Sequence, residues 1–453
     1  MKFFTKYLRG KRMRILLAKC HKKTIYSKFE PAVTEPLELE YLSALLEYLQ
    51  IGHRIYDPLL EGSNFLEVFK SYEPDVLLLS GYITAVDVII EASKVAKRQN
   101  PAVKVLVGGI HAEVNYEDFC VGTIDIVFHA NGLTALEKIL RNGFETEILA
   151  GIEGIAYREN KKWKINGKEL TDLSALPMPN RGYFEKYQSR TKYMHYSPVA
   201  IVKTALSCPY QCSFCYCKQL NGGVYNTRSI DAVIEEIRGI TAEVIWIVDD
   251  TFLIDRKRIQ EFIKKVKKSD IKKKFIAYSR VDFIAKNEDI IQSLADIGLV
   301  ELIVGMEAVE DQMLKEYQKA CSAYENLKAV GILKKHHIQL TALFIVGIDF
   351  SWKDFRNLRR WIRKMDLQSY TASIFTPIKG TAYYEDYKSR LLTHDPAKYD
   401  FLHLTLKPTR MHALSFYFQF YCIYLEQFFR SKYIRSFLLN RWRSILPFGG
   451  KHA

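Results

Sequence analysis

Apolar and polar positions along this chain recur with two periods, and the change from one to the other marks out its elements. From Met13 onward the runs "RILLAK", "HRIYDP", "DVLLLSGY", "VKVLVGG" and "IDIVFHA" read as five strands. Between them, stretches such as "LELEYLSALLEYLQ" and "VDVIIEASKVAKRQ" place apolar residues at i, i+3 and i+4, the spacing of an amphipathic helix. Strands alternating with helices predict a doubly wound α/β domain over residues 1–150, its parallel sheet covered on both faces. The pattern then changes. "GIAYRENKKWKINGKEL" alternates like a hairpin turning at Asn166-Gly167, and "LSALPMPNRGYFEKY" is a proline-marked linker, so residues 151–197 read as a connection.

Alternation resumes over residues 198–390. "VAIVKTAL", "EVIWIVDD", "KFIAYSRVD", "VELIVGMEA", "QLTALFIVGI" and "SYTASIFTP" are expected strands, separated by helical patterns such as "SIDAVIEEIRGI" and "WKDFRNLRRWIRKM". Six β/α units predict a partial (β/α)6 barrel of the TIM type, with its site at the carboxyl ends of the strands. Residues 391–453 form an aromatic and basic region of helical character. Met411 to Phe429 spans 19 residues with one charge, Glu426, and Leu414, Tyr417, Phe418, Tyr421, Leu425 and Phe428 share a helical face. That face is expected to dock on the barrel. A helix lying on a membrane surface is the alternative, because arginines and aromatics flank it.

Composition narrows the chemistry. The chain has 453 residues, more than one ordinary domain, and 48% of them are apolar, as in a globular protein. Sixty-six basic residues against 51 acidic ones give +15, compatible with nucleic acid, an anionic membrane or anionic ligands. Lysine runs such as "KKVKKSDIKKK" lie on an amphipathic helix and read as a solvated face, so net charge decides nothing. Half of the eight cysteines fall within "SCPYQCSFCYC", Ser207 to Cys217. The others, Cys20, Cys120, Cys321 and Cys422, show no pairing rhythm, and the amino-terminal "MKFFTKYLRGKRMRILLAKC" shows no evident signal peptide. A cytoplasmic, reducing setting with metal-bound thiols is the expectation.

Cys208, Cys212 and Cys215 form Cys-x3-Cys-x2-Cys immediately after the first barrel strand, with Phe214 just before the third thiol. Three thiolates from one tight loop can each take a different iron of a 4Fe–4S cube, whereas structural zinc favours Cys-x2-Cys pairs that occur twice. Cys217 is expected to be a poor fourth ligand, which leaves the fourth iron open to a chelating small molecule. A zinc knob in a nucleic-acid-binding protein remains the alternative from a different class. In the first domain, Ser80-Gly81-Tyr82 and Gly108-Gly109 close two strand ends, where sheets of this kind take ligands. They read equally as plain tight turns or as places where backbone approaches a flat ligand.

From about residue 13 to residue 390 these motifs, their order and the linker "GIEGIAYRENKKW…DLSALPMPNRGYF" resemble the cobalamin-binding-domain class of radical S-adenosylmethionine (radical SAM) enzymes. That class includes the anaerobic Mg-protoporphyrin ester cyclase and cobalamin-dependent radical methyltransferases. The resemblance implies a Rossmann-like cobalamin-binding domain, then a radical SAM barrel. Cys208, Cys212 and Cys215 would hold the 4Fe–4S cluster, with Phe214 beside them. Asp249 and Asp250 would meet the methionine amino group of S-adenosylmethionine, Arg280 and Glu307 its carboxylate and ribose, and Val346-Gly347 its adenine. Ser80, Gly81, Gly108 and Gly109 would line the nucleotide tail of cobalamin.

The implied activity is cleavage of S-adenosylmethionine to a 5′-deoxyadenosyl radical that modifies an unactivated carbon, most naturally by C-methylation. Ring formation or methylthio transfer with degenerate cobalamin binding is the alternative. The implied partners are a small-molecule or peptide substrate and an electron donor such as flavodoxin or ferredoxin, with no nucleic acid expected and peripheral membrane contact through the tail. Two features depart from the family pattern. The Asp-x-His-x-x-Gly signature is absent after the first strand, leaving only His21 in register, and His129-Ala130-Asn131-Gly132 replaces the acidic glycine turn after the fifth.

Overall fold

The computed structural model describes residues 13–22, 30–174, 176–432 and 434–436. The expectations for residues 1–12 and for the tail beyond 436 fall outside the described residues. The first sheet comprises β1 (Arg14–Lys19), β2 (Gly52–Tyr56), β3 (Val76–Ser80), β4 (Lys104–Gly108), β5 (Ile126–Phe128), β6 (Ile155–Glu159) and β7 (Lys162–Ile165). Their spatial order is β2-β1-β3-β4-β5-β6-β7, with the first five parallel. Ile15, Leu16, Leu17 and Ala18 are all fully buried, because helices cover both faces of the sheet and every side chain of a central strand then meets apolar atoms. Among these helices are α1 (Leu37–Tyr48) and α2 (Val86–Gln99). The chain runs from β1 to β2 on one side and from β3 to β4 on the other, so the ligand crevice of this topology lies between the carboxyl ends of β1 and β3.

The hairpin expected in the connecting segment is present, but it extends the first sheet as antiparallel strands β6 and β7. Its turn is at Asn160-Lys161, both at positive φ (48° and 66°), and not at Asn166-Gly167. Two successive left-handed residues match the twist of a two-residue hairpin turn. Asn166 is used otherwise: its side-chain amide donates to the carbonyls of Leu149 (2.7 Å) and Ile152 (2.5 Å), tying the strand end to the sheet.

The second sheet is the predicted partial barrel, β8 (Val199–Val202), β9 (Val244–Ile247), β10 (Lys274–Arg280), β11 (Leu299–Glu307), β12 (Gln339–Val346) and β13 (Ser369–Ile374). All neighbours are parallel and follow chain order, and β8 and β13 form its two open edges. Helices α3 (Ile230–Gly239), α4 (Arg256–Lys268), α5 (Ala323–Lys335) and α6 (Trp352–Lys364) pack outside it. Their starts are capped where the sequence provides an acceptor: Ser229 accepts from the Ala232 amide, Asp255 from those of Lys257 and Arg258, and Ser322 with Glu325 forms a capping box. Helix α4 buries Ile259, Phe262, Ile263 and Val266 and turns its lysine run to solvent.

The tail helix, α7 (Ala413–Arg430), docks on the barrel, but with a different face from the one expected. Phe416, Gln419, Phe420, Ile423 and Gln427 are the buried residues, while Leu414, Phe418, Tyr421 and Leu425 of the expected face point outward. Polar anchors decide the orientation. Gln427 donates to the Tyr370 carbonyl (2.8 Å), the Tyr370 hydroxyl donates to the Ile423 carbonyl (3.0 Å), and the Ala372 amide donates to the Tyr424 hydroxyl (3.2 Å).

The two sheets are fastened by buried charge. Arg181, in the connecting segment, donates to Glu35 (2.9 Å) and Glu40 (3.2 Å) beside α1, to the Ile201 carbonyl (2.9 Å) on β8, and to Glu236 on α3. Arg228 reaches the same Glu236 and the Tyr41 hydroxyl of α1 (3.1 Å). This joint turns the carboxyl ends of both sheets toward one another.

Candidate functional site

The cysteine loop begins where β8 ends, and the end of β9 holds it there. The Asp249 carboxylate accepts from the Thr204 amide (2.6 Å), the Ala205 amide (3.0 Å) and the Thr204 hydroxyl. Burial raises its pKa, although Lys203 and these donors work the other way. Arg258 of α4 adds donors to the Arg228 carbonyl (2.7 Å) and Thr204 carbonyl (3.3 Å). The loop therefore leaves the strand from a fixed point.

Beyond it, Cys208, Cys212 and Cys215 line one cavity of about 680 Å³. Cys217, expected to be a poor fourth ligand, lines it as well. The segment is not extended: a 3-10 helix starts at Cys217, and the Cys215 amide donates back to the Cys212 carbonyl (3.2 Å). The compact turn sets the thiols of Cys215 and Cys217 beside each other, and their interaction lowers the pKa of Cys215 and raises that of Cys217. Burial pushes Cys208 up to about 11. Among the described residues no three Cys, His, Asp or Glu side chains converge on a single metal ion. A cube asks for something different, one thiolate at each of three irons spread over a loop; the three cysteines share one loop and one cavity.

The rest of this chamber belongs to other strand ends. Asp250 follows β9, with one oxygen 3.6 Å from Lys203 and the other buried without a protein partner. Thr251 Oγ1 and Trp246 Nε1, also on the chamber wall, are buried and unpaired in the same way. Unsatisfied polar atoms around one cavity are what a bound polar molecule would satisfy. Among the expected residues, Phe214 packs edge-on to Tyr317 at 5.7 Å. Arg280 lies over the Tyr210 ring at 3.7 Å, donates to Asp282 (2.9 Å) and reaches the Cys212 sulfur (3.6 Å), so its fork locks the cysteine loop.

Glu307 enters the chamber through a backbone irregularity. The β11–β12 register shifts between Gly305 and Glu307, and Glu307 has φ +59°. A bulge of this kind re-aims a side chain. The Glu307 carboxylate accepts from Lys319 at 2.7 Å, and a Cβ at Gly305 would sit 2.4 Å from that carboxylate and 2.7 Å from the Lys319 ammonium, so only glycine leaves room for the pair. Burial opposes the Lys319 charge, but Glu307 and the Cys212 thiol outweigh it and raise the lysine pKa. The sequence reading missed Lys319, which lies in no periodic pattern. Val346 and Gly347 stay out of the chamber: Val346 is a fully buried core residue, and Gly347 packs against Asp349 and Phe350.

The opposite wall comes from the first sheet: Leu37, Glu38, Tyr41, Tyr82 and Ile110. Two further cavities, about 510 and 330 Å³, adjoin the chamber, and Tyr82 lines all three. The larger lies over the crevice between β1 and β3 and the smaller beside it, past the ends of β3 and β4, giving this sheet a roomy, partly apolar groove of the kind a corrinoid needs. Ser80, Gly81, Gly108 and Gly109 lie beneath its floor. Ser80 donates to Glu38 (2.9 Å), which also pairs with Lys19. The glycines serve chain-to-chain contact: a Cβ at Gly81 would crowd the Cys20 carbonyl (3.1 Å), and one at Gly109 (φ +102°) the Ser80 hydroxyl (2.9 Å). His21 lines the 510 Å³ cavity and bonds Asp57 at 3.2 Å, whereas His129 is buried against Tyr116 away from the cavities.

Comparison with known proteins agrees with this two-sided arrangement. Residues 202–362 match the family model of the radical SAM superfamily, and residues 31–140 match that of the B12 binding domain. Over 394 residues the chain is 25% identical to the hopanoid C-3 methylase of Methylococcus capsulatus, taking in 84% of this chain and 74% of that one. The radical S-adenosylmethionine methyltransferase TsrM from Kitasatospora setae, solved with tryptophan and a SAM analogue, superposes with a TM-score of 0.69 at 14% identity, covering 90% of this chain and 88% of that one. The cobalamin-dependent radical enzyme OxsB, solved with aqua-cobalamin and S-adenosylmethionine, gives 0.65 at 18% identity. There 99% of this chain is covered, and it spans 64% of the OxsB chain. At these identities the two structures speak for the fold.

Proposed function

We propose that this chain, whose radical SAM and B12 binding domains imply a 4Fe–4S cluster, S-adenosylmethionine and cobalamin, methylates an unactivated carbon of an apolar small molecule. The observation that carries the reading is the shared chamber: the thiols of one sheet and the groove of the other open onto the same space. Bound there, the cofactors supply a hydrogen-abstracting carbon radical and a transferable methyl group.

The protein's part is to hold and to exclude. Cys208, Cys212 and Cys215 hold the cluster, with Phe214 packed behind the third thiol. The unpaired oxygen of Asp250 accepts from the methionyl ammonium, while Asp249 keeps the loop in place. Glu307, fixed by Lys319, faces the ribose; Arg280 braces the cysteine loop beside the methionyl carboxylate; Val346-Gly347, outside the chamber, is given no part in holding the adenine. Ser80, Gly81, Gly108 and Gly109, beneath the groove, support its floor under the cobalamin tail through contacts with Glu38 and Cys20, with Tyr82 and Ile110 above them. Apolar walls from Leu37, Ile303 and Leu343 keep water from a reactive carbon and suit a hydrocarbon-rich substrate. Electrons come from a donor such as flavodoxin or ferredoxin.

Protein purified anaerobically with cobalamin and reconstituted with iron and sulfide tests this. It should retain corrinoid and, with S-adenosylmethionine and a reductant, release both S-adenosylhomocysteine and 5′-deoxyadenosine. Deoxyadenosine alone would favour ring formation, and absence of bound corrinoid would overturn the proposal. Cys208→Ala, Cys212→Ala and Cys215→Ala should each lose the cluster absorbance, and Cys217→Ala should keep it. Loss of iron from Cys217→Ala would make the site a four-thiol one.

A further inference from the structure

Helix α7 has two apolar faces, and the barrel uses only one. Leu414, Phe418, Leu425 and Phe429 are 81%, 62%, 55% and 65% exposed, with Tyr421 between them at 47%. Their spacing of four, three, four and four residues makes one continuous stripe along an 18-residue helix. At 1.5 Å per residue that stripe is about 22 Å long. Five of the sixteen exposed large hydrophobic residues of the described chain lie on it, so it is a patch and not scattered surface.

The surroundings of the stripe are basic. The neighbouring helix α6 carries Lys353, Arg356 and Arg360 at exposed positions, and Trp352, half exposed, begins it. The nearby carboxylates are all tied down: Asp354 caps α6, Glu426 pairs with Arg359 (3.4 Å), and Asp366 pairs with Arg430 (3.1 Å). From Gln427 to the end the sequence contains six Lys and Arg residues and no Asp or Glu. Among the described residues no helix is long and apolar enough to cross a membrane.

We infer that the outward face of α7 seats the enzyme on an anionic lipid surface. An apolar stripe lying in the interface, with cations beside it to meet phosphate headgroups, is the pattern of a helix held in the plane of a bilayer. Trp352 and Tyr421 add rings of the amphipathic kind that favour the headgroup level. A second copy of this chain is a poorer occupant, because a two-fold contact would set one basic rim against another. The barrel anchors of α7 stay in place on binding, so docking needs no unfolding of the helix.

The test is sedimentation of the holoenzyme with sucrose-loaded vesicles of phosphatidylcholine alone or with one quarter phosphatidylglycerol. Wild-type protein should pellet with the anionic vesicles and be released by salt. Phe418→Asp combined with Leu425→Asp changes only exposed positions, and it should lower the partition coefficient roughly tenfold or more while corrinoid, iron and circular dichroism stay unchanged. Equal binding to both vesicle types, or equal binding by the double variant, would overturn the inference. So would a dimer in sedimentation velocity that depends on Phe418 and Leu425 without vesicle binding. Vesicle binding that emerges only after deletion of residues 437–453 would make that segment the occupant instead. Each of these outcomes is independent of methyl transfer.

Discussion

Replacing Arg181 with methionine removes the central cation of the joint between the two sheets while keeping most of its volume. Three carboxylates face that guanidinium, with Glu35 and Glu40 fully buried and Glu236 nearly so. After the substitution Glu236 keeps Arg228, but Glu35 keeps only the Ile201 amide (2.8 Å) and Glu40 only that of Phe184 (2.9 Å). Breaking a buried ion pair from one side costs about 3–5 kcal/mol, a fall in Tm of roughly 5–15 °C for domains of this size.

The pH dependence makes the prediction specific. Burial already raises Glu35 from 4.5 to about 7 and Glu40 to about 8, against the pull of Arg181. Between the ordinary carboxylate range and those values the folded chain holds protons that the unfolded chain has released, so stability falls as pH rises through that window. Removing the cation pushes both pKa values higher and extends the window upward. Arg181→Met should therefore lose more Tm at pH 8 than at pH 6, read by differential scanning fluorimetry of the holoenzyme. A Tm within about 2 °C of wild type at both pH values, or a larger loss at pH 6, would refute the reasoning.

Two further outcomes follow from the chamber. Asp249→Asn replaces one of two accepting oxygens with an amide that faces the Thr204 donors, a mismatch of about 1–3 kcal/mol confined to the loop. Iron retained after reconstitution should fall and amide exchange over residues 204–217 should quicken, with Tm nearly unchanged. Lys319→Met leaves Glu307 buried without its cation, and the dissociation constant for S-adenosylmethionine, measured by anaerobic calorimetry, should rise about tenfold at unchanged iron content.

Both sheets and the three proposed cluster cysteines were legible because their signals are local. A buried parallel strand such as "RILLAK" is an unbroken apolar run, and a thiol triplet within one loop depends only on spacing. What escaped depended on contacts distant in sequence. Lys319 acquires its place from Gly305 and Glu307 across a bulge, and the Arg181 joint draws on residues from Glu35 to Glu236. The outward stripe of α7 is as apolar as its buried face, so hydrophobicity alone could not choose between them. Gln427 and Tyr424 chose, through bonds to β13. The hairpin turn at Asn160-Lys161 carries little local signal, because lysine rarely takes positive φ and Asn166-Gly167 nearby is the stronger turn sequence.

One phenolic ring walls three compartments, and that makes their filling a joint equilibrium. Whatever settles in the groove over β1 and β3 fixes where Tyr82 can stand, and so how much room is left beside the cysteine loop. By reciprocity, a molecule held near the thiols must alter the grip on the groove's occupant by the same factor. Filling either compartment then changes what the other can accept, and loading the two is one coupled process, not two separate ones.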